Sequence, residues 1–333
     1  MLVDTRQLWG AFREARRRLD GYAGSMVWQE AKGGQYLVRR RKEDDGRRSV
    51  RSLGPRSPEA ERLHAEFHSG REAAREAQRG LAERIGRQAR LNVAADLGRV
   101  PGLVARLLRR LDREGLLGRN LLVAGTNAIY AHEAAAGVRV GTELLATLDV
   151  DILLDARARL RLTAEGDAPR GVLQILRLVD RSFAPMGGCE FCAVNRDGFQ
   201  VDLIKPEPHP SWKEEADGVG EGDLKAAPIR NMRWIANAPR FEAVAIGEDG
   251  APVPMVCPDP RAFALCKLWM GTQDATRDPV KRPRDVAQAE AVAAMVRGHM
   301  PGLPFRPEHL TSFPREAIDL AGGWAGDPFF EEG

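Results

Sequence analysis

Thr147-Leu-Asp-Val-Asp-Ile-Leu-Leu-Asp155 places two carboxylates, Asp149 and Asp151, one residue apart inside an apolar run. A strand projects residues i and i+2 from the same face, roughly 7 Å apart, so both carboxylates point one way. Inside a core that is unfavourable, because like charges repel and desolvation penalises the charged form. A divalent cation between them removes the conflict. Upstream lies Val123-Ala-Gly125-Thr-Asn127, a glycine turn that enters a helix. Glycine lets backbone amides approach a phosphate closely, and the helix that follows offers its positive end. Thr126 adds a hydroxyl donor for the β- or γ-phosphate. Together these elements are the layout of an enzyme that holds a nucleoside triphosphate and magnesium.

Downstream, Glu190-Phe-Cys-Ala-Val194, a turn at Asn195-Arg-Asp-Gly198 and Phe199-Gln-Val-Asp-Leu-Ile204 read as a hairpin. It delivers Asp202 inside an apolar strand, and neighbouring strands lie about 5 Å apart. Asp202 is therefore expected to face Asp149 and Asp151 across the sheet. Three carboxylates around one point are hard oxygen ligands for two magnesium ions. Such ions, roughly 4 Å apart, clamp the attacking and leaving oxygens of a phosphoryl transfer. Asp202, beside only one metal, is the candidate to take the proton from an attacking hydroxyl. A lone Asp-x-Asp is often just a strand edge or a helix cap; here the glycine turn, the apolar flanks and the third aspartate come in order.

From Leu121 onward short strands alternate with helices, which favours a mixed α/β (α+β) fold. Leu121–Ala124 and Leu148–Leu154 read as strands; Asn127–Ala136 and Pro169 to about Ser182 read as helices. A second hairpin turns at Glu248-Asp-Gly250, and helices follow from Asp259-Pro260 to Met270 and from Arg284 to Arg297. The stretch 301–333 reads as a packed, irregular tail. Before this core come a short basic helix, Thr5 to about Leu19, and a β-meander. The meander consists of Met26-Val-Trp-Gln-Glu and Gln35-Tyr-Leu-Val-Arg around a Lys32-Gly-Gly34 turn, then Arg48–Leu53. Ser57-Pro58 starts a long helix with a serine cap and a first-turn proline, and another follows Pro101. The expected division is 1–95, a basic N-terminal region; 96–210, the catalytic core; and 211–333, a helical part that completes the nucleotide cleft. No internal repeat and no low-complexity tract is present.

Of the chain's 333 residues, 43% are hydrophobic and 29% charged, enough for real cores with a solvated surface. No apolar run approaches the roughly 18 residues needed to span a bilayer. Met1-Leu-Val-Asp-Thr-Arg lacks an apolar signal region and so reads as cytoplasmic. Residues 1–120 carry 27 Lys+Arg against 16 Asp+Glu, whereas the remainder carries 23 against 31. A front half at +11 and a rear half at −8 point to a polyanionic partner for the front, or to an ordinary solvated surface. Arg39-Arg-Arg-Lys42 with Arg47-Arg48, beside Tyr36 and Trp28, suits RNA contact and stacking. Only seven of the 50 cationic residues are lysine, a bias that suits a GC-rich genome better than a function.

Four cysteines make no disulfide framework in a chain this long. Cys189-Glu-Phe-Cys192 has zinc-knuckle spacing, but Cys257 and Cys266 form no matching pair, and i and i+3 in a strand face opposite ways. His64 and His68 lie one helical turn apart without the zinc-protease order, and are read as exposed helix positions. His132-Glu133 is read as core. His209-Pro-Ser-Trp212 reads as a loop near the end of the catalytic strand.

The set Gly125-Thr126, Asp149-Val-Asp151 and Asp202 resembles the polymerase-β-type nucleotidyltransferase superfamily, whose pattern is Gly-Gly/Ser, Asp-x-Asp, then a third Asp. More narrowly, Ala124-Gly-Thr-Asn-Ala-Ile-Tyr-Ala-His-Glu133 with Ala135-Ala-Gly-Val138 resembles a bacterial family of nucleotidyltransferase-fold proteins. Similar to it as well are Gly98-Arg-Val-Pro101, Gly115-Leu-Leu-Gly118 and Ser52-Leu-Gly-Pro-Arg-Ser57. The likeness covers about residues 20–300. It implies a mixed sheet with flanking helices and transfer of a nucleoside monophosphate from an NTP, ATP included. The interval of 24 residues from Gly125 to Asp149 is longer than the superfamily's, so Gly137–Ala146 must be an extension. Phe263-Ala-Leu-Cys-Lys267 and Lys281-Arg-Pro-Arg-Asp285 resemble motifs of abortive-infection and toxin-type nucleotidyltransferases. By that likeness Lys267 neutralises triphosphate charge and Asp285 orients a basic neighbour; Asp285 as a plain helix cap or salt-bridge partner is the bland alternative. Gly125, Thr126 and Asn127 are the expected phosphate cradle. RNA, tRNA included, is the leading acceptor, with a protein hydroxyl or a small molecule next. A toxin–antitoxin or phage-defence component that acts by binding a protein partner is the competing class.

Overall fold

The computed structural model describes residues 1–31, 33–42, 48–155, 171–209 and 223–324. The chain forms two compact units, Met1–Gly98 with the turn Glu248–Pro252, and the rest of the described residues.

In the first unit, α1 (Leu2–Asp20) precedes an antiparallel meander of β1 (Ser25–Ala31), β2 (Gly34–Lys42) and β3 (Arg48–Pro55), then the long α2 (Pro58–Ala94). Ser57 is extended, and its Oγ accepts from Ala60 N at 3.2 Å, which satisfies one of the orphan first-turn amides. One face of the meander closes on α2 through Met26, Leu37, Ala60 and Phe67. Pleating puts Arg39 on the same face as Leu37. Its guanidinium lies 4.3 Å from the Phe67 ring centroid and donates to Ala23 O at 2.6 Å. Arg56 covers Trp28 and pairs with Glu61. Two arginines near the expected basic surface are thus committed inside the unit. His68 is exposed on α2, as expected, and His64 is half-buried there. The Trp28 ring packs at a tilt against His64, and His68 Nε2 donates to Met26 O at 3.0 Å, so the pair docks the meander on the helix. Lys32 and Arg47 lie outside the described residues.

The second unit is built on a mixed sheet in the order β4-β5-β8-β7-β6, with β9 also paired to β8. Its strands are β4 (Leu121–Ala124), β5 (Asp149–Leu154), β6 (Ala184–Pro185), β7 (Cys192–Val194), β8 (Gln200–Pro206) and β9 (Ala227–Ile229). Around it run α3 (Gly102–Arg113), α4 (Ile129–Ala136), α5 (Val172–Val179) and α6 (Met232–Asn237). The pair β10 (Arg240–Ile246) and β11 (Pro252–Pro258) leads into α7 (Pro260–Thr272), α8 (Arg282–His299) and α9 (Arg315–Leu320). The alternation of Val150, Ile152 and Leu154 with Asp149 and Asp151 lets β5 bury one face in the core while the other carries charge. The stretch after Pro301 is less irregular than expected: Phe305, Leu310, Phe313 and Trp324 are buried, and α9 and short 3₁₀ turns order it up to residue 324. Residues 325–333 and Pro169 lie outside the described residues.

One expectation is corrected outright. Cys189 and Cys192 are joined by a disulfide, with Cα atoms 5.5 Å apart. The strand begins at Cys192 rather than Glu190, and residues 187–191 form turns. Cys189 lies in the turn and not in a strand, so the two side chains are not held on opposite faces and the turn brings them together. No helix among the described residues is long and apolar enough to cross a membrane.

Candidate active site

Strands β5 and β8 are parallel and in register, with Asp149 opposite Gln200 and Asp151 opposite Asp202. Residues paired across neighbouring strands share a face, so the three carboxylates and Gln200 form one patch. On its other side β5 pairs with β4, Ala124 opposite Asp151. That register carries the chain straight into Gly125, with φ 57° and ψ −156°. A side chain there would overlap Asp151 Oδ2, so the close approach of turn and carboxylate requires glycine. Thr126–Ala128 make a 3₁₀ turn that leads into α4.

Asp149, Asp151, Asp202, Gly125, Thr126, Lys267 and Asp285 all line one cavity of about 1010 Å³. Asn127 is placed differently. It is buried, and its amide donates to Asp149 O at 2.8 Å, tying the turn to the first residue of β5. His209 ends a described segment, and Pro210, Ser211 and Trp212 of that expected loop lie outside the described residues.

The electrostatics carry the conflict read from the sequence. Burial, then the charges of Asp149 and Asp202, push the Asp151 carboxyl up to about 6, against Lys267 and Arg277. Burial and Asp149 also raise Asp202, although Gln200 Nε2 donates to its Oδ1 at 2.7 Å. Thr147 Oγ1 donates to Asp149 Oδ1. Across the cavity, Asp285 holds two cations: Lys267 Nζ at 2.7 Å from Oδ1 and Arg277 Nε at 2.6 Å from Oδ2. Burial opposes ionisation of Asp285, but these two partners outweigh it and hold its carboxyl below the ordinary range. Asp285 is thus a salt-bridge partner shared by Lys267 and Arg277, an arrangement that fits both readings the sequence offers.

The extension between Gly137 and Ala146 is fixed at two points. Glu133 accepts from Arg99 Nη2 at 2.6 Å and from Val140 N at 2.7 Å, while Arg99 also donates to Val140 O. Further along, Arg284 Nη2 donates to Ala146 O at 2.6 Å and Gln288 Nε2 to Leu144 O at 2.7 Å. These ties deliver Thr147 and Asp149 to the start of β5. His132 is buried between Phe241 and Phe263, and burial pushes its imidazole down to about 4.

Sequence reasoning missed Arg277, Gln200 and Gln288 and gave no individual role to Lys281 and Arg284, all of which line the cavity. Gln200 had a signal, since it lies two residues before Asp202 on one strand face. Lys281 and Arg284 sit inside the Lys281–Asp285 motif. Arg277 follows α7 and had none.

Among the described residues no group of three or more His, Cys, Asp or Glu side chains is disposed, as it stands, to hold a metal ion. The donor chemistry nevertheless suits one. Three carboxylates on one strand face are hard oxygen donors for Mg²⁺, and two of them are held above the ordinary carboxyl range by burial and mutual charge.

A family model described as Nucleotidyltransferase matches residues 102–310. No curated protein and no solved structure matches the chain.

Proposed function

Since the chain belongs to this nucleotidyltransferase family, we propose that it moves a nucleoside monophosphate from an NTP to a hydroxyl of RNA in a magnesium-dependent reaction. The observation that supports this reading is the register of β5 and β8, which sets Asp149, Asp151 and Asp202 on one face beside the Gly125-Thr126 turn. Asp149, Asp151 and Asp202 would hold Mg²⁺, which when bound offsets the charge that develops on the transferring phosphoryl group. Gly125 and Thr126 receive phosphate oxygens through the backbone and the hydroxyl. Lys267, kept in place by Asp285, faces the triphosphate with Arg277 and Lys281. Apolar side chains such as Ile229, Met232 and Met270 line the same cavity and offer a surface for the base.

The acceptor oxygen attacks the α-phosphorus, the bond to the pyrophosphate oxygen breaks, and the acceptor proton passes to Asp202. Asp202 takes this role because the β5–β8 register sets it on the same face as the Asp149–Asp151 pair. RNA is favoured over other acceptors by the +11 balance of residues 1–120. Arg41 and Arg51, which are exposed on the meander, are available for phosphate contact.

The test is incubation of the protein with each α-labelled NTP, Mg²⁺, total bacterial RNA and total protein, beside Asp149→Ala. Label on RNA, lost in the variant while its circular dichroism stays unchanged, is the expected result. Label on protein would replace RNA by a protein hydroxyl as the acceptor. Equal labelling by Asp149→Ala would remove the catalytic assignment. NTP binding without transfer would favour a toxin–antitoxin or defence component that acts by binding a protein partner.

A further inference from the structure

We propose that Gln288 is a positioning residue for the bound nucleoside triphosphate, setting the direction in which the Thr126 hydroxyl donates its proton. The inference rests on the phosphate-cradle reading of Gly125 and Thr126.

Gln288 lies on α8 one turn beyond Asp285 and is fully buried. A buried amide is costly unless its polar atoms are paired. Its Nε2 donates to Leu144 O at 2.7 Å and to Thr126 Oγ1 at 3.2 Å. The first contact fixes which end of the amide is nitrogen, because a carbonyl oxygen only accepts. The second contact then occupies a lone pair of the Thr126 hydroxyl. A hydroxyl that accepts in this way keeps its own proton, directed away from the donor. Thr126 and Gln288 line the same cavity. The proton is therefore free for an oxygen of the ligand, whereas a threonine without this donor can turn it back on the protein.

A purely structural role does not account for the Thr126 contact. Tethering of residues 144–146 needs only the Leu144 bond, and Arg284 also donates to Leu144 O at 3.3 Å and to Ala146 O. Among the described residues, moreover, Gln288 Oε1 is buried without a partner in a side chain that borders the cavity.

A double-mutant cycle on binding separates the two roles. Wild type, Thr126→Val, Gln288→Leu and the double variant are titrated calorimetrically with each of the four α,β-methylene nucleoside triphosphates in Mg²⁺. Circular dichroism and thermal melting check the fold, and Gln288→Met, closer in length, replaces Gln288→Leu if the latter does not fold. Hydrogen bonds to charged groups predict that each single change weakens binding about tenfold to a hundredfold. The double variant should then bind no more weakly than Thr126→Val alone. If the two losses multiply, Gln288 acts independently of the hydroxyl and the proposal falls while the phosphate cradle stands. If Gln288→Leu binds like wild type, it falls outright. If wild type binds none of the four, the proposal falls together with the reading it rests on.

Discussion

Asp151 shows at the residue scale what the site requires. Its carboxyl has an ordinary value of 3.8 and is pushed up to about 6 in the folded protein, chiefly by burial. Below about pH 4 the group is protonated in both states and costs nothing. Between pH 4 and 6 the unfolded chain releases the proton more readily, so stability falls as pH rises. Above about pH 6 the full penalty is present, of order 1–3 kcal/mol. Asp151→Asn should therefore raise the Tm of the metal-free protein at pH 7.5 and leave it unchanged near pH 4. Mg²⁺ competes with the proton, so it should stabilise wild type more at pH 7.5 than at pH 5, and Asp151→Asn little at either. Melting curves in chelator and in Mg²⁺ decide this, and equal curves for the two proteins at pH 7.5 would contradict it.

At the scale of elements, the β4–turn–β5 corner is where backbone geometry and chemistry meet. Ala124 pairs with Asp151, so the turn that leaves β4 must pass the carboxylate at close range. Gly125 has φ 57° and no room for a side chain. Gly125→Ala should cost about 1–3 kcal/mol of stability from strain at that backbone conformation and displace Asp151 as well. The expected readout is a lower denaturation midpoint together with a loss of nucleotide transfer greater than tenfold. A variant that melts lower yet keeps full activity would show that the turn is structural only. The register of β5 with β8 is the other decisive element. A slip of one residue would turn Asp202 to the opposite face and separate it from the Asp-x-Asp pair.

Across the whole molecule, charge is divided between a basic front and an acidic rear. Not every arginine of the front is free, because Arg39 is tied to Ala23 and Phe67. The expected RNA contact therefore falls to exposed residues. Arg41→Glu with Arg51→Glu should weaken RNA binding and flatten its salt dependence, since the slope falls by about one for every phosphate that is no longer neutralised. The fold should stay intact. Arg39→Glu should instead lower the melting temperature, because it removes packing and hydrogen bonds inside the unit. Filter binding at several salt concentrations checks the first, and a thermal scan the second. Unchanged slopes in the exposed pair would argue for another acceptor.

Local pattern alone was enough for the strands at 121–124 and 149–154, the Ser57-capped helix and the order of glycine turn, Asp-x-Asp and third aspartate. Period-2 alternation, capping chemistry and turn residues act over a few positions, so they are written in neighbouring letters. The strand register that set Asp202 opposite Asp151 could be anticipated only as a possibility, because pairing depends on sheet order. Arg277, Gln288 and the Cys189–Cys192 bond were beyond the sequence reading. Arg277 becomes relevant through Asp285, Gln288 through Thr126, which lies 162 positions away, and the disulfide through a turn that replaces an expected strand. Local letters determined which elements form and which carry charge. Tertiary structure decided which charges meet, because burial and long-range hydrogen bonds exist only once the elements have packed.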